Sequence, residues 1–137
     1  MKRKVLFLCT GNSCRSQMAE GFLRHLAGDR FEVYSAGVKP TEVNPLAIHV
    51  MDELSIDISN QKSKSVEGLL GQTFDYVVTV CSNAERSCPV FPGEYKKIHW
   101  DLDDPADAKG TREEKIKVFK DIRDQIKGLI ISFLKKQ

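Results

Sequence analysis

The stretch Val5-Leu6-Phe7-Leu8-Cys9-Thr10-Gly11-Asn12-Ser13-Cys14-Arg15-Ser16 joins an unbroken apolar run to a polar, glycine-containing octet. A short apolar run bounded by turn formers suits a strand buried on both faces. Directly afterwards Met18, Ala19, Phe22, Leu23 and Leu26 fall on one helical face, and Gly28 is placed to end that helix. The octet therefore links a strand to a helix. Its residues lie at the carboxyl end of the strand, where open α/β sheets hold their ligands.

The rest of the chain repeats this alternation. Apolar runs at residues 31–35, 76–80 and 97–100 predict three more strands. Asn44 followed by Pro45 is an N-cap with proline at the first helical position, and Ala47, Val50, Met51 and Leu54 form the inward face of a second helix. A short third helix is expected at residues 65–70. Thr111 and Glu114 form a capping-box pattern, and Ile116, Phe119, Ile122, Ile126, Ile130 and Phe133 follow at helical spacing to the end of the chain. Residues 59–65 and 102–110 are expected as loops. The fold class is α/β: a single domain over residues 1–137, with a four-stranded parallel sheet flanked by helices on both faces.

Composition narrows the function. At 137 residues, 41% apolar and 29% charged, the chain has the balance of an ordinary globular domain. A net charge of +2, with Lys and Arg dispersed, gives no nucleic-acid-binding face. The apolar run after Met1-Lys2-Arg3-Lys4 is too short for a signal peptide or a membrane span, so a cytoplasmic protein with no membrane association is expected. Four cysteines in such a compartment point to catalysis or metal binding, because stable disulfides are uncommon there.

The octet suits an oxyanion. Gly11 and Asn12 tolerate unusual backbone angles, which lets a tight loop aim successive N–H groups inward at a helix N-terminus. Residues Thr10, Gly11, Asn12, Ser13, Cys14, Arg15 and Ser16 form this binding loop. The same donors favour Cys9 as thiolate, lowering its pKa from the usual value of about 8.5, and the thiolate is the attacking form. Arg15 can present a planar fork to two oxygens of the anion, and Ser16 can donate to the sulfur. A buried core cysteine at a strand end would leave this Cys-x5-Arg spacing without purpose. Cys14 reads as a packing residue with no required chemical role.

With Gln17-Met18-Ala19-Glu20 behind it, the octet resembles the phosphate-binding loop of low-molecular-weight protein-tyrosine phosphatases and of the arsenate reductases built on that fold. The resemblance implies a four-stranded parallel sheet with helices on both faces. His99-Trp100-Asp101-Leu102-Asp103-Asp104-Pro105 follows the last expected strand, at the same sheet edge as Cys9. Displacing an oxygen needs a proton donor, and the resembled family uses the Asp before Pro, here Asp104. Asp101 and Asp103 read as turn residues.

A phosphatase needs only the cradle and the acid, which leaves Cys81 and Cys88 unexplained. Reduction of arsenate needs two electrons, which thiols supply by forming a disulfide after one sulfur has bonded to arsenic. The expected order is attack by Cys9 on arsenate, attack by Cys81 on Cys9 with release of arsenite, then attack by Cys88 on Cys81. An intact helix would hold Cys81 and Cys88 about 10 Å apart, against the roughly 4.4 to 6.8 Å between Cα atoms that a disulfide allows. A short helix that loops out on oxidation is therefore expected between them.

The Cys-x6-Cys segment ending in Cys-Pro resembles the thioredoxin-coupled arsenate reductases, and this resemblance spans essentially the whole chain. It implies Cys9 as nucleophile, Cys81 and Cys88 as shuttle pair, Asn12, Arg15, Ser16 and Asp104 at the loop and acid positions, thioredoxin as reductant, and weak phosphatase activity. Ala106-Asp107-Ala108 stands where phosphatases of this fold place tyrosines. Some reductases of this kind bind potassium near positions matching Asn12, Glu20 and Ser35; this chain carries Lys62 and Lys64 nearby, and neither metal nor cofactor is assigned. A zinc site is disfavoured because Cys9-x4-Cys14 and Cys81-x6-Cys88 lack Cys-x2-Cys knuckles. His25, His49 and His99 read as surface or packing residues, and a monomer is expected.

Overall fold

In the computed structural model, which describes residues 2–137, four strands form one parallel sheet: β1 (Arg3–Cys9), β2 (Phe31–Gly37), β3 (Tyr76–Thr79) and β4 (Lys96–His99). Their spatial order is β2-β1-β3-β4. β1 is central, and Val5, Leu6, Phe7 and Leu8 are wholly buried, which explains a sequence without polar alternation. The register sets Cys9 beside Gly37 and Leu8 beside Thr79. The carboxyl ends of three strands thus meet at one edge.

α1 (Arg15–Ala27) and α4 (Arg112–Lys135) cover one face, and α2 (Pro45–Asp52) packs on both. Phe133 of α4 meets the rings of Phe31 and Tyr76 there. On the other face lie the five-residue α3 (Ser82–Arg86) and a run of edge-on ring contacts from Tyr34 through Phe74 and Phe91 to Tyr95. Helices flank both faces, but the second is closed mostly by loops and aromatic rings. None of the described helices is long and apolar enough to cross a membrane.

The caps read from sequence are in place. Asn44 accepts from the Leu46 N–H at 2.9 Å. Thr111 and Glu114 exchange both bonds of the capping box, at 3.1 and 3.2 Å. The short third helix is a single 3-10 turn, Val66–Leu69, capped by Ser65. Gly28 does end α1, yet at φ −63° it is right-handed, not left-handed. Its lack of a side chain matters for closeness: a Cβ would stand 2.5 Å from the Arg24 carbonyl oxygen.

Replacing Thr111 by Ala removes one acceptor from the first turn of α4. The expected cost is about 1 kcal/mol, visible as a lower urea midpoint with an unchanged slope.

Candidate active site

The loop after β1 is held by its carbonyl groups. Those of Cys9, Thr10, Gly11 and Ser13 accept the N–H groups of Val38, Lys39, Thr41 and Asn44 at 3.1, 2.9, 2.8 and 2.9 Å. The Asn12 carbonyl accepts from the Ser63 hydroxyl at 2.7 Å and the Gln17 amide at 3.0 Å. The Cys14 carbonyl takes the Met18 N–H as the first bond of α1. In a planar trans peptide the N–H opposes the C=O, so the loop's amides are left facing the pocket. Such a ring of amides at a helix N-terminus is an anion nest.

Asn12 makes the turn possible. Its φ of 49° lies in the left-handed region, which asparagine tolerates better than other side-chain-bearing residues. Its side chain accepts from the Lys64 N–H at 2.9 Å and donates to the Ser16 hydroxyl at 2.7 Å. Gly11 is not left-handed; it provides room, since a Cβ there would lie 3.1 Å from the Thr41 hydroxyl.

Cys9 Sγ lies 2.8 Å from the Ser16 hydroxyl and 3.1 Å from the Asn12 N–H. Burial pushes this thiol above its ordinary pKa, while the Ser16 hydroxyl, the Arg15 guanidinium and the Asn12 N–H pull it down. Burial prevails, which corrects the expected lowering. That expectation counted the donors and not the loss of water around a side chain only 2% exposed. Burial likewise raises Cys14, to about 12, in keeping with a packing residue. Cys14 nevertheless borders the pocket along with Thr10 and Ser13.

Arg15 and Asp104 meet across the pocket. One Arg15 N–H donates to the Leu102 carbonyl at 2.9 Å, and another nitrogen stands 3.4 Å from the Asp104 carboxylate. Asp104 also accepts the Ala106 N–H at 3.0 Å, capping the 3-10 turn Pro105–Asp107. It is thus both a turn residue and a pocket residue.

β3 delivers Cys81 to the same edge. Its sulfur lies 3.3 Å from the Thr10 hydroxyl, and it caps α3 by accepting the Ala84 N–H at 3.3 Å. Asn83 donates to the Thr10 hydroxyl from the other side at 3.1 Å. Cys88, half-buried, follows α3, where burial raises its thiol and Lys97 opposes the rise. All four cysteines are free thiols. His99 Nδ1 stands 2.8 Å from the Thr79 hydroxyl and 3.3 Å from the Glu85 carboxylate, so it ties α3 to the sheet. Sequence alone gave that histidine no such partner.

Glu20 is buried on α1, accepts from the Ser35 hydroxyl, and faces Arg24 at 2.6 Å and Lys64 at 3.8 Å. Two cations already compensate this carboxylate, so the residues present do not fit a potassium ion there. Among the described residues, no three His, Cys, Asp or Glu side chains gather as metal ligands.

Two contributors escaped the sequence reading. One is the segment from Val38 to Asn44, whose backbone holds the loop. The other is Gly37, beside Cys9 in register: a Cβ there would stand 2.6 Å from the Thr10 carbonyl oxygen and 3.0 Å from the Asn12 nitrogen. A glycine at the end of the strand next to the loop was the available signal. Gly37→Ala is expected to leave a folded protein by circular dichroism but to lower kcat/KM about tenfold to a hundredfold by displacing the loop.

Residues 4–137 match the family described as Low molecular weight phosphotyrosine protein phosphatase. A protein named Arsenate reductase from Shouchella clausii (strain KSM-K16) is 49% identical over 132 residues, which cover 96% of this chain and 95% of that one. Another of that name, from Bacillus subtilis (strain 168), is 47% identical over 134 residues, covering 97% and 96%. A solved structure described as an arsenate reductase in oxidized state aligns at a TM-score of 0.84 and 33% identity, covering 98% of each chain. Family match, near-complete coverage and shared fold agree: the chain belongs to the low molecular weight phosphotyrosine protein phosphatase family and stands there with relatives named arsenate reductase.

Proposed function

We propose that this protein is an arsenate reductase that works through Cys9, Cys81 and Cys88 and is regenerated by thioredoxin. The observation that carries the proposal is Cys81 at the rim of the oxyanion loop, 3.3 Å from the Thr10 hydroxyl, with Cys88 just beyond a five-residue helix. The names of the near-full-length relatives support the same substrate.

Arsenate enters the amide ring with Arg15 on two of its oxygens. Cys9, as thiolate, forms a bond to arsenic; Asp104 protonates the departing oxygen, which leaves as water. Cys81 then attacks Cys9 Sγ. A disulfide forms, the sulfur–arsenic bond breaks, and its electron pair stays on arsenic, which is released as arsenite. Cys88 attacks Cys81, freeing Cys9 and closing a Cys81-to-Cys88 disulfide. α3 must unwind for this step, because an intact helix keeps the two sulfurs apart. The dithiol of thioredoxin reduces the exposed disulfide. The protein is taken to act as a monomer in the cytoplasm, where a cycle that starts from free thiols is at home.

Hydrolysis of aryl phosphates should occur weakly, because phosphate and arsenate share shape and charge. A phosphatase as the principal activity is the alternative, and it would leave Cys81 and Cys88 idle.

Cys9→Ser should abolish both activities. Cys88→Ser should release one equivalent of arsenite and then stop with a Cys9-to-Cys81 disulfide, as read by arsenite yield with thioredoxin, thioredoxin reductase and NADPH. Sustained turnover by that variant would refute the shuttle. Asp104→Asn should lower the rate of the first step about 10²–10⁴-fold in single-turnover assays, the range lost with a positioned general acid.

A further inference from the structure

Three charged side chains line the pocket over Cys9: Arg15, Asp104 and Lys39. Arg15 faces Asp104 at 3.4 Å and gives another N–H to the Leu102 carbonyl. Much of that pair's charge cancels in place. Lys39 has no carboxylate in ion-pair range among the described residues. It is exposed, but its backbone is fixed to the cradle, for its N–H is the donor that holds the Thr10 carbonyl at 2.9 Å. An ammonium group thus hangs on a flexible stem from a rigid anchor at the pocket's rim. The lining nearby is Thr41 and Ala106, and no aromatic ring lines the pocket.

We propose that Lys39 is a substrate-binding residue whose ammonium draws a small inorganic oxyanion into the cradle and favours it over an aryl phosphate ester. A free tetrahedral anion seated on the amides keeps a small oxygen, a hydroxyl at neutral pH, toward the rim, so the Lys39 ammonium can come close to the doubly charged anion. An ester carries its aryl group at that position instead of a small hydroxyl, which blocks the close approach of the ammonium, and it finds no ring to stack on. The uncompensated charge of Lys39 also adds to the field that steers anions inward, and salt weakens such a field. The identity of the oxyanion as arsenate rests on the function proposed above. The charge argument applies to any tetrahedral inorganic anion.

The test uses the full chain carrying Cys9→Ser, which cannot turn over, titrated calorimetrically with inorganic phosphate and with arsenate. Adding Lys39→Gln should raise Kd about threefold to tenfold at low ionic strength, the size expected of one exposed charge acting on a multiply charged anion. Lys39→Glu should raise it further, and Lys39→Arg should keep it near the starting value. With Cys9 intact, the loss from Lys39→Gln should fall on KM for arsenate, shrink as salt is added, and be smaller for p-nitrophenyl phosphate. An unchanged phosphate Kd in Lys39→Gln, or an equal loss in Lys39→Arg, would overturn the proposal. If the wild-type protein failed to reduce arsenate, the functional reading would fall, while phosphate binding in the Cys9→Ser series would still decide the role of Lys39.

Discussion

The site depends on where the carbonyls of residues 9–14 point. A tight loop can aim its amides at an anion only if each opposing carbonyl finds a donor on the far side, since unpaired buried carbonyls are costly. Here the backbone of Val38 to Asn44 supplies those donors for Cys9, Thr10, Gly11 and Ser13, while Ser63 and Gln17 supply them for Asn12. This arrangement needs β2 directly beside β1, with Gly37 opposite Cys9. The cradle is therefore a property of the sheet edge as much as of the octet.

The same edge accounts for the second cysteine. β3 is β1's other neighbour, so the residues after Thr79 emerge next to the loop. Thr10 sits between the two, touching Cys81 Sγ and Asn83 as a shared hydroxyl. Beyond its backbone bonds and the buried Ala84, α3 is held by its cap on Cys81, the Asn83 contact and the Glu85–His99 pair. A five-residue helix has little intrinsic stability, and the bond from the Cys88 N–H to the Glu85 carbonyl is already long at 3.5 Å. In the proposed cycle this weakness is useful, because opening α3 costs little compared with opening the packed face under α1 and α4.

Burial and charge work against each other at Cys9. Loss of water raises the thiol, while the Ser16 hydroxyl and the Asn12 N–H beside the sulfur favour its ionised form. Arg15 is committed in part to Asp104 and Leu102. In the proposed cycle an entering oxyanion competes with Asp104 for that guanidinium, which would link anion binding to the state of the proposed acid.

The sequence by itself determined the local elements: a buried central strand without alternation, helix starts at Asn44-Pro45 and Thr111-x-x-Glu114, and a Cys-x5-Arg loop between strand and helix. These follow from periodicity, capping and turn chemistry, which act over a few residues. It also carried the three cysteines of the proposed relay, because their spacing is itself the chemical pattern. Only the tertiary structure decided what satisfies the loop's carbonyls, that Gly37 must lack a side chain, that Lys64 and Arg24 already neutralise Glu20, and that burial outweighs the donors at Cys9. Each of these depends on groups distant in the chain brought together by the sheet, and a linear pattern contains no record of such distances or of the water they exclude.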